Sequence, residues 1–327
     1  MKIVFAGTPA NAARTLEALL QTNHEVVAVL TRPDAPVGRK RVVTPSPVAH
    51  LAQQHGLKIF KANRIDQELA SQLAVTGAQI GVVVAYGALL KKFALDALPM
   101  GWVNLHYSLL PDWRGAAPVQ NSILAGDTRT GVTLFQLDEG MDTGPILDVV
   151  LTEIQVGETS GRLLSRLTEL GITLLAQALP ALEAGFAQAI AQTGSGTMRP
   201  ANKLERSQAK VDWNLNSTLI ERQILAMNPE PMAYSVLGNE TFRIIDAASL
   251  GKTDWSSLGS ESQEDHNPGS IRFEARRVLV ECGAGTLLQL KTVQPAGKNP
   301  MPATDWARGG AAKFSCFDPT DPQSEGA

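Results

Sequence analysis

"QIGVVVA", Gln79 to Ala85, carries no polar side chain from Ile80 onward. A strand with one face in water alternates apolar and polar residues, whereas a run that is apolar on both faces belongs to a sheet covered on both sides. The flanking segments repeat the theme. Lys2–Ala6 is a short apolar run ending at Gly7, and "EVVAVLT" (Glu25–Thr31) is another, with Ala12, Ala13, Leu16, Leu19 and Leu20 at helical spacing between them. A helix opened by Pro47 and running to His55, a short strand Lys58–Phe60 and a helix Asp66–Val75 lead up to the quoted run. After it come a strand Gly101–His106, a helix from Pro118 to Gly126, and two β runs, Gly131–Leu137 and Pro145–Glu153. A long helix holding Leu163, Leu167, Leu170, Leu174 and Leu182 follows. Strands that alternate with helices in this way predict an α/β unit around a mostly parallel sheet.

That pattern fades near Gly185, and "QTGSGTMRPANKLE" reads as a polar, Gly- and Pro-bearing linker. Beyond it, one helix (Ser217–Met227) precedes five short β runs between Ala233 and Val293, which predicts a small β-barrel with "KTDWSSLGSESQEDHNPG" as an acidic insertion. The expected division is a first domain over 1–186, a linker over 187–206, a second domain over 207–314 and a flexible tail over 315–327. A chain of 327 residues suits two domains. The composition, 44% hydrophobic and 19% charged, is globular, and a net charge of -3 offers no global basic field. Two cysteines, Cys282 and Cys316, without a CxxC suggest neither a disulfide framework nor a metal site. "MKIVFAGTP" has too short an apolar run for a signal peptide, and no segment is apolar enough to span a bilayer. A cytoplasmic monomer without membrane or metal partners is expected.

The chemistry concentrates in "NLHYSLLPDWRGAAP", Asn104 to Pro118. Residues i and i+2 of a strand share a face, so Asn104 and His106 project together near a strand's C-terminal end, where open α/β sheets bind ligands. A carboxamide beside an imidazole is a device for acyl transfer, one group holding a developing oxyanion and the other moving a proton. A pair of satisfied residues at a strand end is the alternative. Pro111 cannot continue a strand, so "SLLP" should loop over the pair, with Leu109 and Leu110 walling a pocket. "QLDEGMDTGPIL" sets Asp138 and Asp142 in a Gly-rich turn; a carboxylate there can orient the imidazole, although an ordinary hairpin turn has the same composition. Of the dinucleotide fingerprint G-x-G-x-x-G only Gly7 is present, which argues against nicotinamide binding. "RPDAPVGRKRVVTPSP", Arg32 to Pro47, is long and irregular for a connection and carries Arg32, Arg39, Lys40 and Arg41. Both a solvated charge run and an RNA-facing loop fit it.

"FAGTP", "NLHYSLLPDWRGAAPVQ", "GDTRTGVTLFQLDEGMDTG" and "VDW" with "NPEPMAY" together resemble the methionyl-tRNA formyltransferases, a branch of the folate-dependent formyltransferase family, from Met1 to about Phe314. The Asn-x-His pair, the "SLLP" loop and the later Asp are shared with formyltransferases acting on glycinamide ribonucleotide or sugar nucleotides. "RGAAPVQ", the basic loop and the second domain are what favour the tRNA branch. The resemblance implies a Rossmann-like, mostly parallel sheet (the formyltransferase fold) followed by an OB-like β-barrel. It implies transfer of the formyl group of 10-formyltetrahydrofolate to the α-amine of methionyl-initiator tRNA in bacterial translation initiation, with a sugar nucleotide or glycinamide ribonucleotide as the alternative acceptor. A catalytically dead, RNA-binding relative is a further alternative, against which the intact trio speaks. By the same likeness Asn104, His106 and Asp142 form the catalytic trio, and Ser108, Leu109, Leu110 and Pro111 line the folate site. Tyr86 and Leu90 border that site or are plain core; both fit. Arg39, Lys40 and Arg41 enter the acceptor stem, Arg39 foremost, with bases of the second domain such as Lys203, Arg206, Arg243, Arg272, Lys291 and Lys313 available for phosphates. Three positions depart from the family pattern: Tyr107 for a small residue, Asp112 for a basic one and Glu230 for Trp. The acidic insertion after Gly251 is expected to face away from RNA.

Overall fold

The computed structural model describes residues 1–38, 40–193, 198–250, 267–309 and 315–318. It separates into two compact units, one of residues 1–118, 128–153 and 163–203, the other of 119–127, 154–162 and 204–327.

The strands of the first unit are β1 (Lys2–Gly7), β2 (Glu25–Thr31), β3 (Ala35–Val37), β4 (Val42–Thr44), β5 (Ile59–Lys61), β6 (Ile80–Val84), β7 (Trp102–His106), β8 (Arg114–Gly115), β9 (Arg129–Gln136), β10 (Ile146–Glu153) and β11 (Pro200–Ala201). Seven of them form one sheet in the order β10-β9-β7-β6-β1-β2-β5. Pairing is parallel from β7 to β5, and β9 and β10 add an antiparallel edge. Every residue of β6 is buried, as its unbroken apolar run requires. Helices α1 (Ala10–Leu19), α2 (Pro47–Gln54) and α3 (Gln67–Ala74) connect the parallel strands. Ser46 Oγ accepts the Ala49 N–H at 3.0 Å and Asp66 Oδ1 the Leu69 N–H at 2.9 Å, caps that each stabilise a helix start by about 1 kcal/mol. Chain order reverses between β1 and β6, and that switch point opens a crevice at the C-terminal strand ends.

Gly81 shows how tightly this sheet is covered. A Cβ there would lie 1.9 Å from the ring of Trp102, which is fully buried and tethered by its Nε1–H to the Ala94 carbonyl at 2.8 Å. Gly81→Ala is expected to lower stability by about 1–3 kcal/mol, read as a fall in the urea midpoint with an unchanged slope. An unchanged midpoint would mean the indole has somewhere else to go.

Two stretches differ from expectation. The basic loop is not irregular throughout: β3 and β4 pair as an antiparallel hairpin, Ala35 opposite Thr44 and Val37 opposite Val42. Val37, Val42 and Val43 are all exposed, so no inside–outside alternation marks the strands. Of the segment expected to be a linker (187–206), the described residues up to Lys203 belong to the first unit, with Ile190 bridging Ile146 and β11 lying parallel to β8. Main-chain pairing holds these short pieces, and it leaves no hydrophobic period to recognise.

The second unit contains α4 (Ser217–Met227) and strands β12 (Tyr234–Leu237), β13 (Glu240–Leu250), β14 (Ile271–Glu274), β15 (Arg277–Cys282), β16 (Thr286–Gln294) and β17 (Met301–Pro302). They form an antiparallel sheet in the order β12-β13-β16-β15-β14, with β17 on β16. Its core includes Trp213, Ile220, Ile224, Phe242, Val278, Leu288 and Trp306. Phe317, inside the expected flexible tail, is 1% exposed and stacks on Trp213 at 4.8 Å between centroids. Its N–H bonds the Gly269 carbonyl at 2.9 Å, so burial of one aromatic ring anchors the chain where composition predicted looseness. Residues 252–266 of the acidic insertion, and Lys313, lie outside the described residues.

Candidate active site

His106 is the last residue of β7, and strand alternation puts Asn104 on its face. The imidazole is 7% exposed, and its Nε2 lies 2.8 Å from the carbonyl oxygen of Trp113. A carbonyl only accepts, so Nε2 carries the hydrogen and Nδ1 keeps its lone pair in the neutral ring. Nδ1 faces Asp142 Oδ2 at 3.6 Å, within ion-pair range and too long for a direct hydrogen bond. The ring stands nearly perpendicular to that of Phe135 of β9, 6.4 Å between centroids. Burial lowers the pKa of His106 from its ordinary value, while the Asp142 carboxylate and the Trp113 carbonyl pull it up. Desolvation is the largest of the three, so the resting ring is neutral, yet a proton arriving at Nδ1 finds a carboxylate beside it.

Asp142 holds a left-handed backbone, φ 54°, in the turn between β9 and β10. Its Oδ2 accepts the Gly115 N–H at 2.8 Å. The turn is braced from behind: Gln192 Nε2 donates to the Asp142 and Gly144 carbonyls at 2.9 and 2.7 Å. Gln192 Oε1 in turn accepts from Arg114 Nε and Nη2 at 3.1 and 2.6 Å. Asn104, Asp142 and His106 all border a cavity of about 580 Å³ at the C-terminal ends of β6 and β7. Among the described residues the carboxamide of Asn104 has no hydrogen-bond partner. Val83, Leu90, Leu137 and Met141 give the cavity apolar walls, a size and lining suited to a flat heteroaromatic ligand.

Tyr86 and Leu90 satisfy both readings of the sequence, for they border the cavity and are 1% and 5% exposed. Burial pushes the Tyr86 phenol up to about 12, and its O–H donates to the Ala62 carbonyl at 2.7 Å. Ser108, Leu109, Leu110 and Pro111 do not line the cavity. Their loop turns onto β9 instead: Thr133 Oγ1 donates to the Ser108 carbonyl at 2.6 Å and accepts the Leu110 N–H at 3.2 Å. Leu110 is 7% exposed and Leu109 fills the space over Gly131, so neither is the exposed loop leucine the sequence suggested. They are packing anchors for the loop that carries Trp113 and Gly115.

Lys40 and Arg41 are exposed at the hairpin tip, and Arg39 lies outside the described residues. Arg32 is not offered to solvent as a phosphate contact. Its guanidinium bonds Asn63 Oδ1 at 2.9 Å and the carbonyls of Tyr86 and Gly87, pinning the cavity rim. In the second unit Arg272 pairs with Glu281, Lys291 with Asp246 at 3.7 Å, and Arg243 bonds Gln294 at 3.2 Å. Asp112 is matched by Arg199 at 2.8 Å, a guanidinium that also lies over the Trp113 ring at 4.3 Å. Tyr107 is buried with its hydroxyl accepting from Asn11 at 3.2 Å, and Glu230 is exposed. The Trp113 carbonyl, the Gly115 N–H and Gln192 were not legible in the sequence, since two act through the backbone and the third is remote.

The family model for formyl transferase matches residues 1–179, and that for the formyl transferase C-terminal domain matches residues 203–311. A methionyl-tRNA formyltransferase from Arthrobacter sp. (strain FB24) is 43% identical over 312 residues, covering 95% of this chain and 98% of the relative. The chain belongs to the methionyl-tRNA formyltransferase family. The family member from Mycobacteroides abscessus is 44% identical over 310 residues, with 94% and 97% covered. Among solved structures, the N-formyltransferase from Helicobacter canadensis in complex with folinic acid and dTDP-3-aminofucose matches with a TM-score of 0.63. It is 19% identical and covers 90% of this chain and 99% of its own. HypX from Aquifex aeolicus in complex with tetrahydrofolic acid matches with a TM-score of 0.61 at 14% identity, covering all of this chain and 50% of HypX. At such identities the structures establish the formyltransferase fold. No helix among the described residues is long and apolar enough to cross a membrane.

Proposed function

We propose that this enzyme moves the formyl group of 10-formyltetrahydrofolate to the α-amine of methionyl-initiator tRNA, with Asn104, His106 and Asp142 as the reacting groups. The observation that carries the reading is their meeting at one cavity: an unbonded carboxamide, a buried imidazole with one open nitrogen, and a tethered carboxylate. The named relatives, more than two-fifths identical along nearly the whole chain, favour the tRNA acceptor over a sugar nucleotide or glycinamide ribonucleotide.

The folate supplies an activated carbonyl carbon, to which the amine nitrogen bonds as the carbon–N10 bond breaks. Asn104 Nδ2–H donates to the formyl oxygen, where negative charge grows. His106 Nδ1 takes the proton the amine sheds and returns it to the departing N10. Asp142, held by Gly115, stabilises the imidazolium in the interval. The apolar walls keep water from competing for the carbon, and fixing the groups in one geometry removes much of the entropic barrier.

Incubation with 10-formyltetrahydrofolate and radiolabelled methionyl-initiator tRNA should yield labelled formylmethionine. Formylation of a sugar nucleotide or glycinamide ribonucleotide alone would overturn the assignment. The tRNA is expected to meet the basic hairpin. Arg39→Ala should lower kcat/KM for charged initiator tRNA by about tenfold, the loss of one charge-assisted contact, with turnover on a small amine surrogate unchanged. Equal kinetics with tRNA would remove the hairpin from recognition.

A further inference from the structure

The stretch expected to be a linker bonds to both segments that hold the acid–base pair, the Trp113–Ala116 backbone and the Asp142 turn. Ile190 exchanges two backbone hydrogen bonds with Ile146, each 2.7 Å, at the start of β10. The Arg199 carbonyl accepts the Trp113 N–H at 2.7 Å, and the Ala201 carbonyl accepts from Ala116 at 2.8 Å. Trp113 and Gly115 are the residues whose backbone groups hold the imidazole and the carboxylate. Gln192 completes the arrangement by linking Arg114 to the Asp142–Gly144 turn.

We propose that Gln192 is a positioning residue for formyl transfer, bracing the Asp142 turn so that the carboxylate stays at the open nitrogen of His106. This deepens the function proposed above and rests on it. The left-handed backbone of Asp142 is uncommon for a residue with a Cβ and persists where surrounding contacts over-determine it. Gln192 supplies two such contacts from one nitrogen. Its chemistry is hard to replace, because the site needs two donated hydrogens toward carbonyls and an acceptor toward a guanidinium. A carboxamide offers both; a carboxylate lacks the donors and an ammonium lacks the acceptor. Gln192 does not border the cavity and meets Asp142 only at its main-chain carbonyl, so its effect passes through the position of the Asp142 carboxylate.

The test pairs Gln192→Leu, which keeps size but removes every hydrogen bond, with Gln192→Asn, which keeps the chemistry one methylene shorter. Gln192→Leu should lower kcat by about 10- to 100-fold with KM for both substrates within about twofold, and Gln192→Asn should recover part of the loss. In an Asp142→Asn background the same Gln192→Leu change should cost less than about twofold, because the group it positions is already disabled. Losses that multiply across the two sites overturn the proposal. NMR titration of the His106 ring, without substrates, gives a second readout. The groups facing that ring among the described residues are the Asp142 carboxylate, the Trp113 carbonyl and the Phe135 ring. Withdrawal of the carboxylate should move the titration to lower pH in Gln192→Leu. An unmoved titration in a folded variant overturns the brace. Should Gln192→Leu not fold, Gln192→Asn carries the same comparisons. A parent protein that formylates no methionyl-tRNA refutes the assigned reaction instead, and the substrate-free titration still decides the role of Gln192.

Discussion

Replacing Asn104 with alanine is expected to lower kcat by about 10²- to 10³-fold while leaving the fold intact. The backbone of Asn104 stays in register with Val83 on one side and Phe135 on the other whatever its side chain. The carboxamide makes no hydrogen bond to the described residues, so truncation orphans no protein group. What is lost is a donor aimed into the cavity, and that donor matters most when the formyl oxygen becomes negative. An interaction stronger in the transition state than in the ground state shows in kcat, with KM for the folate little changed. Single-turnover formylation on a variant with unchanged circular dichroism and unfolding midpoint is the measurement. Near-normal turnover would remove Asn104 from the chemistry.

Asp142→Asn is expected to cost about 10²-fold in kcat and to shift the pH profile in a stated direction. Asp142 raises the proton affinity of His106 against the larger effect of burial. Without the carboxylate the ring holds a proton less well, so it remains a neutral base to lower pH. The acid limb of the kcat profile should therefore move down in pH even as the plateau falls. Stability follows by linkage. The folded-state pKa of His106 lies below its unfolded value of about 6.5, so the unfolded chain binds more protons as pH falls. The contribution of His106 to stability is thus present above that value and is lost as pH falls toward the folded pKa. In Asp142→Asn the loss from this ring extends over a wider acidic range. An acid limb that stays in place, or moves up, would mean that Asp142 does not govern the ring.

The sheet was legible because its strands are buried on both faces: the apolar runs at β1, β2 and β6 can serve little else. The Asn104–His106 pair was legible for a related reason, since period-two geometry fixes which residues share a face. Leu109 and Leu110 misled because a loop was equated with exposure, whereas both turn inward onto β9. The hairpin in the basic loop and the pairing of Pro200–Ala201 with Arg114–Gly115 rest on main-chain hydrogen bonds between segments of two or three residues, and side-chain patterning carries no trace of those. Gln192 escaped notice because its partners are two carbonyls and a guanidinium distant in the chain. A single glutamine in a polar stretch gives no sign of where its amide will land.

The hydrogen bond from His106 to the Trp113 carbonyl has an effect on timing. A ring tied at one nitrogen to an immobile oxygen cannot pass a proton through itself; whatever enters at Nδ1 must leave by the same door. On the proposed mechanism the incoming amine and the outgoing N10 therefore queue at one atom. Release of the spent folate cannot run ahead of attack, because the hydrogen that discharges it has first to be collected from the acceptor.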